Sequence, residues 1–423
     1  MKKPFKNFIV RLLWLQVSRL REKYEPIVIA VAGSIGKTDT KQAVAKVLSQ
    51  HLTVQWQDGN YNDIVSVPLI FFGQKMPHLL NPFGWLRVLI VSEFQIQTNY
   101  NYQVVVLEIG TDYSGNLELF RQRIQVDYGI LTAIAAEHMQ NFDDIDAVAT
   151  EELVITEIAD TVLVNTDAVD KKYVNKIENA LTYGEGTQDC RITAKRLTDN
   201  FKRSVTFTLK DQTEYSLKTS LIGKQNLPAL AAVTLLASKL ELTDNEIISG
   251  LESISPMPGR MQLLKGEKGS LLIDDTYNAS PEAVKAALDT LYEAKAVQKI
   301  AILGQMNELG GFSEEMHTEV GKYCDPKQLK LVVTIGNDAN TFLAEAAEKR
   351  GCKVMRCPSP YHAADVIRPL IKKGTLILAK GSQNGVYAEE ALKELLENAS
   401  DYKKLVRQSR AWSKFKGAQF SEL

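Results

Sequence analysis

The sequence is poor in cysteine and has no excess charge of either sign. Its 423 residues include four cysteines, Cys190, Cys324, Cys352 and Cys357, too few and too scattered for a disulfide framework. No second Cys or His pair accompanies Cys352 and Cys357 at zinc spacing. We therefore expect the cysteines to be packing residues of a protein that works in a reducing compartment. With 50 basic and 51 acidic residues the net charge is -1, which gives no reason to expect a nucleic-acid partner.

The first residues carry several lysines and apolar side chains at helical spacing, which predicts an amphipathic helix over residues 1–25. The apolar positions are Phe8, Ile9, Leu12, Leu13 and Leu20. Arg11 interrupts the apolar run and no small-residue cleavage site follows, so we expect neither a signal peptide nor a transmembrane span. Two interpretations stay open for this helix in a cytoplasmic protein: docking on the next domain, or peripheral contact with an anionic membrane.

From Ile27 onward, short β-branched apolar runs alternate with helical stretches, which is typical of parallel α/β domains. The predicted strands are residues 27–32, 104–107, 129–134, 161–164, 271–273, 300–303, 331–335 and 376–379. Between about Leu181 and Leu221 the pattern becomes polar and β-prone, which predicts an antiparallel flap. A breaker cluster at Pro256, Pro258 and Gly259 predicts a boundary between a larger domain, residues 26–257, and a smaller doubly wound domain, residues 258–423.

A glycine-rich segment stands between the first predicted strand and the helix that follows it. Its glycines let backbone N–H groups turn toward an anion at a helix start. Lys37 can reach terminal phosphates, and the Thr38 hydroxyl can bind Mg²⁺. The segment is a shortened phosphate loop, Gly-x-x-Gly-Lys-Thr. Asp39 follows it, and this carboxylate must point away from the phosphates or contact metal-bound water. We therefore predict an ATP site at Gly33, Ser34, Ile35, Gly36, Lys37, Thr38 and Asp39.

Two further polar residues follow predicted strands of the same sheet. Glu108 ends one apolar strand, and His138 follows the strand that ends near Ile134. Because parallel strands share a carboxyl edge with the phosphate loop, both side chains are expected beside the nucleotide. Mg²⁺ prefers oxygen ligands, so a histidine ligand would need support from phosphates and water. We predict a magnesium site there, with Lys37, Glu108 and His138 as the catalytic residues.

An ordered series of motifs resembles the Mur ligase family from about Ile27 to about Leu396. The motifs that carry this resemblance are Gly33–Thr38, Gly59-Asn-Tyr-Asn62 with Val67-Pro68, Glu108-Ile-Gly110, His138, Asn165-Thr-Asp167, Pro258-Gly-Arg-Met261, Asp274–Pro281, Leu303–Gly310, His317 and Lys380-Gly-Ser382.

The resemblance implies a central ATPase domain of the P-loop type and a Rossmann-like C-terminal domain, with ATP and Mg²⁺ as cofactors. The metal ligands that the resemblance implies are Thr38, Glu108, His138 and Glu152. At the position of Glu152 the family usually has a lysine, which is carbamylated in many members. Nucleotide contacts beyond the loop fall on Asn226, Arg260, Asp275, Tyr277 and Asn278. Substrate contacts fall on Asn60, Asn62, Asn307, Glu308, Lys380 and Ser382.

The implied activity is ATP-dependent amide-bond formation through an acyl phosphate, with D-alanyl-D-alanine added to a muramoyl peptide. Magnesium and Lys37 must neutralise the transferring phosphoryl group, because it and the substrate carboxylate repel each other. The expected partners are a small peptide or a nucleotide-sugar-peptide, and the expected state is a monomer.

The sequence departs from the family at four places, which leaves two alternatives open. Only the segment Met1–Tyr24 stands where the family has a UDP-sugar domain, so a related amide ligase acting on a folate or a γ-linked peptide is one alternative. Glu152 replaces the lysine, Ala133 replaces an asparagine, and Tyr387 replaces an arginine. Together with Asp39, the first two of these replacements favour the other alternative, a catalytically weakened nucleotide-binding partner of a larger complex.

Overall fold

The computed structural model describes residues 3–57, 59, 61–111, 113–136, 139–186 and 189–420. The chain divides into two compact units. The first comprises Met1–Thr193, Val205–Leu217 and Asn226–Ile254, and the second comprises Ala194–Ser204, Lys218–Gln225 and Ser255–Leu423.

A nine-stranded sheet runs through the first unit in the order β2-β3-β1-β4-β5-β6-β7-β8-β9. Its strands are β1 Ile27–Ala32, β2 Val54–Gln55, β3 Val104–Glu108, β4 Val126–Leu131, β5 Ala159–Asn165, β6 Leu181–Gly184, β7 Cys190–Ala194, β8 Arg203–Leu209 and β9 Glu214–Thr219. The strands from β2 to β7 pair in parallel. A tight turn joins β8 to β9, where the Leu209 N–H donates to the Thr213 carbonyl at 2.9 Å.

Ten helices flank this sheet in the described part of the chain. They are α1 Lys3–Tyr24, α2 Lys37–Leu48, α3 Val67–Phe71, α4 Pro82–Thr98, α5 Glu118–Arg121, α6 Ile145–Glu152, α7 Ile155–Ile158, α8 Lys171–Val174, α9 Leu227–Lys239 and α10 Asp244–Glu252. Helix α9 is apolar on nearly all sides and packs against α2, so that α2 is held between the sheet and a second helix. This packing fixes the helix that follows the glycine-rich segment.

Helix α1 is docked on the first unit through one of its faces. Ile9, Leu13 and Leu20 of the predicted apolar line are buried in the core of that unit. The indole N–H of Trp14 donates to the Ile64 carbonyl at 3.0 Å. Within the described ranges, no helix combines the length and the apolar character needed to cross a membrane.

The second unit is built on a six-stranded sheet in the order β10-β11-β15-β12-β13-β14. Its strands are β10 Gln262–Gly266, β11 Ser270–Asp275, β12 Gln298–Gly304, β13 Leu331–Ile335, β14 Val354–Cys357 and β15 Thr375–Lys380. Its helices are α11 Pro281–Glu293, α12 Ser313–Tyr323, α13 Ala344–Lys349, α14 Pro360–Ile367, α15 Glu389–Glu394 and α16 Arg410–Phe420. Only the edge strand β10 is antiparallel to its neighbour.

The predicted α/β class, with a large mostly parallel sheet and a second sheet, is confirmed, and several boundaries differ from the prediction. Strand β4 ends at Leu131 rather than at Ile134, because the chain leaves the sheet there to contact the glycine-rich segment. Strands β6 and β7, predicted as part of an antiparallel flap, continue the parallel sheet instead. All four cysteines are free and buried.

Candidate active site

The glycine-rich segment is a tight loop that joins β1 to α2. Gly33 has φ of 121°, and a Cβ there would lie 2.4 Å from the Thr132 hydroxyl oxygen. Gly36, at the N-cap of α2, has φ of 88°, in the left-handed region that favours glycine. The Ser34 N–H donates to the Ala133 carbonyl at 2.9 Å. Both glycines are therefore required by the loop geometry, which brings backbone N–H groups to the start of a 12-residue helix, where anions bind.

Lys37 lies over this loop. Its Nζ donates to the Gly33 carbonyl at 2.5 Å and to the Ser34 carbonyl at 3.0 Å. The ammonium group therefore stands within the loop, at the head of α2. From this position it can neutralise a phosphate that enters the loop.

Glu108 lies beside the loop because of the strand register. Val31 of β1 pairs with Glu108 of β3, and the Thr38 hydroxyl donates to Glu108 Oε1 at 3.2 Å. The other carboxylate oxygen, Oε2, lies 2.9 Å from Lys41 Nζ. The Lys41 side chain is fully buried and that of Glu108 is 4% exposed, so this is a buried ion pair at the edge of the nucleotide site.

The oxygens of Thr38 and Glu108 fit a magnesium ion. In octahedral coordination at about 2.1 Å, neighbouring ligand oxygens lie about 3 Å apart, close to the spacing found here. Among the described residues, no group of three His, Cys, Asp or Glu side chains comes together as a metal site. A bound magnesium would therefore need phosphate and water oxygens in addition to the hydroxyl and the carboxylate.

Glu152 contacts the first backbone amide of the loop. The Gly33 N–H donates to Glu152 Oε2 at 2.7 Å, and the Glu152 side chain is almost fully buried at the end of α6. The structure thus brings Glu152 to the phosphate loop, where it holds the backbone. Its role as a metal ligand stays a prediction.

A cavity of about 430 Å³ lies in the first unit at the same edge of the sheet. Asn62 and Gly110 line it, and the Gly110 N–H donates to the Asn62 carbonyl at 3.1 Å. Lys6, from the first turns of α1, and Asp63 also line the cavity, which therefore has one basic and one acidic side chain. Since Gly110 follows Glu108 by two residues, the cavity adjoins the end of β3.

The second unit has its own group of predicted site residues. Asp275 and Lys380 occupy paired positions in β11 and β15. Lys380 Nζ lies 2.7 Å from Asp275 Oδ2 and donates to the Asn278 carbonyl at 3.0 Å. Both side chains are buried, so the turn after β11 is fixed by an ion pair.

The turn is held in addition by Asp274 and by a stacked arginine. Asp274 accepts hydrogen bonds from the Gly259 N–H at 2.9 Å and from the Thr276 hydroxyl at 2.6 Å. Burial nevertheless raises the pKa of Asp274 to about 6. The Arg260 guanidinium lies 4.3 Å from the centre of the Tyr277 ring, in cation–π contact.

Asn307 and Ser382 meet at the ends of β12 and β15. The Asn307 N–H donates to the Ser382 hydroxyl at 2.9 Å. The Met306 N–H donates to Nε2 of buried His317 at 3.0 Å, and burial lowers the pKa of that histidine, which favours the neutral acceptor form. His317 thus supports the segment that carries Asn307 and Glu308, the latter with φ of 66°.

The remaining predicted residues fall in different places. Asn226 occupies the N-cap position of α9 in the first unit, without a capping hydrogen bond to its side chain. Ile35 and Asp39 are partly exposed in the loop and in the first turn of α2. Asn60 and His138 lie outside the described residues.

Lys41 is a site residue that the sequence motifs did not indicate. It stands four residues after Lys37 on α2, so both lysines project from the same side of the helix. That spacing beside Glu108 could have indicated a charge pair. The ion pair leaves Glu108 Oε1 as the oxygen that faces Thr38.

A phosphate loop with two lysines, a carboxylate next to the loop threonine and a second α/β unit define a nucleotide-dependent enzyme of the P-loop class. Two family models match this chain: the Mur ligase middle domain over residues 31–237, and the Mur ligase, glutamate ligase domain over residues 259–383. The chain belongs to the Mur ligase family and is an ATP-dependent, ADP-forming amide ligase.

Similar proteins share both units. The UDP-N-acetylmuramoyl-tripeptide--D-alanyl-D-alanine ligase of Bacillus subtilis is 28% identical over 386 residues, which cover 88% of this chain and 76% of the relative. The crystal structure of MurF from Acinetobacter baumannii aligns with a TM-score of 0.76 and 22% identity, covering 92% of this chain and 81% of that one. MurF from Thermotoga maritima in complex with ADP gives a TM-score of 0.73 and 22% identity, covering 92% and 83%.

Proposed function

We propose that this protein joins D-alanyl-D-alanine to the carboxylate of a muramoyl peptide, with ATP converted to ADP and phosphate. The observation that carries the proposal is the Thr38–Glu108 contact at 3.2 Å beside a phosphate loop, in a chain similar to D-alanyl-D-alanine ligases over most of its length. The contact supports phosphoryl transfer, and the similarity supports this choice of substrates.

The first unit would activate the carboxylate. The loop amides and Lys37 would hold the terminal phosphates of ATP. The cavity beside Gly110 would receive the substrate carboxylate, with Lys6 as the basic residue in a lining that also contains Asp63. The carboxylate oxygen attacks the γ-phosphorus, the bond from that phosphorus to the β,γ-bridging oxygen breaks, and ADP leaves.

Thr38 and Glu108 would hold a magnesium ion, with His138 and Glu152 as further predicted ligands. Such an ion would neutralise charge on the transferring phosphoryl group. The chain's own contribution is to place two oxygens near magnesium geometry and to hold the Glu108 carboxylate in position through its ion pair with Lys41.

The second unit would bind the incoming amine substrate. Asn307, Glu308 and Ser382 gather at strand ends beside the Asp275–Lys380 pair, and polar groups at such edges bind substrates in α/β folds. The neutral amine nitrogen attacks the acyl carbon, a tetrahedral intermediate forms, the nitrogen gives up a proton to solvent, and phosphate leaves as the amide is made. Arg260, Tyr277 and Asn226 are proposed nucleotide contacts.

The proposal extends to partners and location. A net charge of -1 favours small-molecule partners over nucleic acid. Four free thiols support a location in the cytoplasm, where ATP is available, and the proposed state is a monomer.

The direct test is ADP release with candidate substrates. We expect release to require both a muramoyl tripeptide and D-alanyl-D-alanine, and an amide product to be detected by mass spectrometry. Lys37→Ala should abolish turnover, whereas Lys46→Ala, on the same helix but outside the loop, should leave it unchanged. Turnover with folate and glutamate in place of these substrates would overturn the substrate choice, and full activity of Lys37→Ala would overturn the role of the loop.

A further inference from the structure

Helix α4 presents an apolar line to solvent. Its buried side carries Trp85, Val88 and Ile96, which pack into the core of the first unit. Its opposite side is also apolar, although it is exposed: Phe83 is 81% exposed and Phe94 is 65% exposed. Leu86 and Ile90 complete the line at helical spacing. Four large exposed apolar side chains on one helix are more than scattered surface hydrophobics, so they indicate an interaction site.

Helix α1 extends this surface. It runs parallel to α4, since Gln16 Nε2 donates to the Leu89 carbonyl at 2.9 Å and Lys23 Nζ to the Ile96 carbonyl at 2.8 Å. At 3.6 residues per turn, the exposed apolar line of each helix is rotated about that helix axis by roughly 80–100° from the side that contacts the other helix. Both lines therefore lie on the same side of the helix pair. We name this surface the apolar face and define it by Phe8, Leu15, Phe83, Leu86, Ile90 and Phe94.

Positive charge predominates in the chain segments that carry the apolar face. Residues 1–21 and 64–92 contain no aspartate or glutamate. The acidic residues of the two helices are Glu22, in the last turn of α1, and Glu93, whose carboxylate lies 2.8 Å from Arg19. The exposed cations of the two acid-free stretches are Lys6, Arg11, Lys75 and Arg87.

We propose that the apolar face binds the surface of an anionic lipid bilayer. Aromatic and branched side chains flanked by cations are the composition of helices that lie in the interface of a membrane. The cations are complementary to anionic headgroups, whereas a second copy of this chain would bring the same cations against them. The periodic apolar residues Ile9, Leu13 and Leu20 of α1 are used in the core, so α4 supplies most of the lipid contact.

Vesicle flotation of the full chain tests this proposal. We expect binding to phosphatidylcholine vesicles that contain about a third phosphatidylglycerol, and little binding to phosphatidylcholine alone. Binding should fall steeply from about 0.1 M to about 1 M salt, because the screening length shortens from about 10 Å to about 3 Å. A double variant that carries Arg11→Gln and Arg87→Gln should bind these vesicles about thirtyfold more weakly, because each arginine near an anionic surface contributes about 1 kcal/mol.

Variants of exposed residues separate lipid contact from misfolding. Phe83→Ser with Ile90→Ser should weaken vesicle binding at least tenfold, whereas Val297→Ser, which removes an exposed apolar side chain from the second unit, should not. Circular dichroism and thermal unfolding of each variant establish that it is folded.

Two kinds of result would overturn the proposal. One is equal vesicle binding by the Phe83/Ile90 variant and the unaltered chain, or no binding to either vesicle. The other is a lipid-free dimer in sedimentation experiments that these substitutions abolish, because the face would then be covered by a second copy. Neither result depends on ligase activity, so a wrong substrate assignment would leave this test intact.

Discussion

Replacing Lys41 by methionine should destabilise the first unit without opening a cavity. Methionine keeps most of the aliphatic length of lysine and removes only the ammonium group. The structure places that group 2.9 Å from Glu108 Oε2, with both side chains buried. Removing one partner of a buried pair leaves an uncompensated charge, which costs about 3–5 kcal/mol. We therefore expect the unfolding free energy of the unit to fall by this amount at pH 7.

Tryptophan fluorescence during urea unfolding can measure this loss, because Trp14, Trp56 and Trp85 lie in the first unit and only Trp412 in the second. Lys46→Met, at the other end of the same helix, is the matched control and should change stability by less than about 0.5 kcal/mol.

Combining Lys41→Met with Glu108→Gln completes a double-mutant cycle. The double variant should recover much of the lost stability, because no buried charge is left unpaired. If Lys41→Met unfolds at the same urea concentration as the unaltered chain, or if the two substitutions simply add, the ion pair does not stabilise the site as inferred here.

Three further expectations concern single residues. Glu152→Gln keeps an acceptor for the Gly33 N–H, so ATP should still bind while half-maximal activity requires more magnesium; an unchanged magnesium titration would remove Glu152 from the metal site. Lys380→Met should lower the stability of the second unit by about 3–5 kcal/mol in urea unfolding, and adding Asp275→Asn should restore much of it; strict additivity of the two changes would contradict the ion pair. Burial raises the pKa of Asp274 from 3.8 to about 6, so its contribution to stability is full below pH 4 and is lost as pH rises through 6. The stability of the unaltered chain minus that of Asp274→Asn should therefore fall by about 2.4 kcal/mol between pH 4 and pH 7, and a flat difference would contradict the shift.

Much of the site could be predicted because strands and loops leave local patterns. The strand Ile27–Ala32 was predicted with its observed bounds, and Glu108 was placed correctly because parallel strands share a carboxyl edge. The role of Lys41 depends on a contact between α2 and β3, which no local pattern encodes. For the same reason, the buried contact of Glu152 with Gly33 was not anticipated.

The exposed line of α4 shows a different limit. Phe83, Leu86, Ile90 and Phe94 have the spacing of a buried helix face, so their pattern alone predicts core packing. The helix is apolar on two sides, and only the fold decides which side is covered. The sequence shows the positive charges of α1 directly. It does not show that α4, rather than α1, supplies most of the apolar surface of the proposed lipid contact.

The charges at the phosphate loop constrain how ATP can bind. Lys37 and Lys41 bring two positive charges, and Glu108 and Glu152 bring two negative charges, so these four groups sum to zero. The triphosphate of ATP would then enter a loop whose cations are already balanced by carboxylates, one of them in direct contact with a loop amide. Backbone N–H groups and the helix start supply only partial charges. A divalent cation at the proposed magnesium site would supply the missing attraction, because it would bind Glu108 and the phosphates together. In the proposed mechanism the loop would therefore take up ATP together with a magnesium ion, and the Lys41 ion pair would compete with that ion for the charge of Glu108.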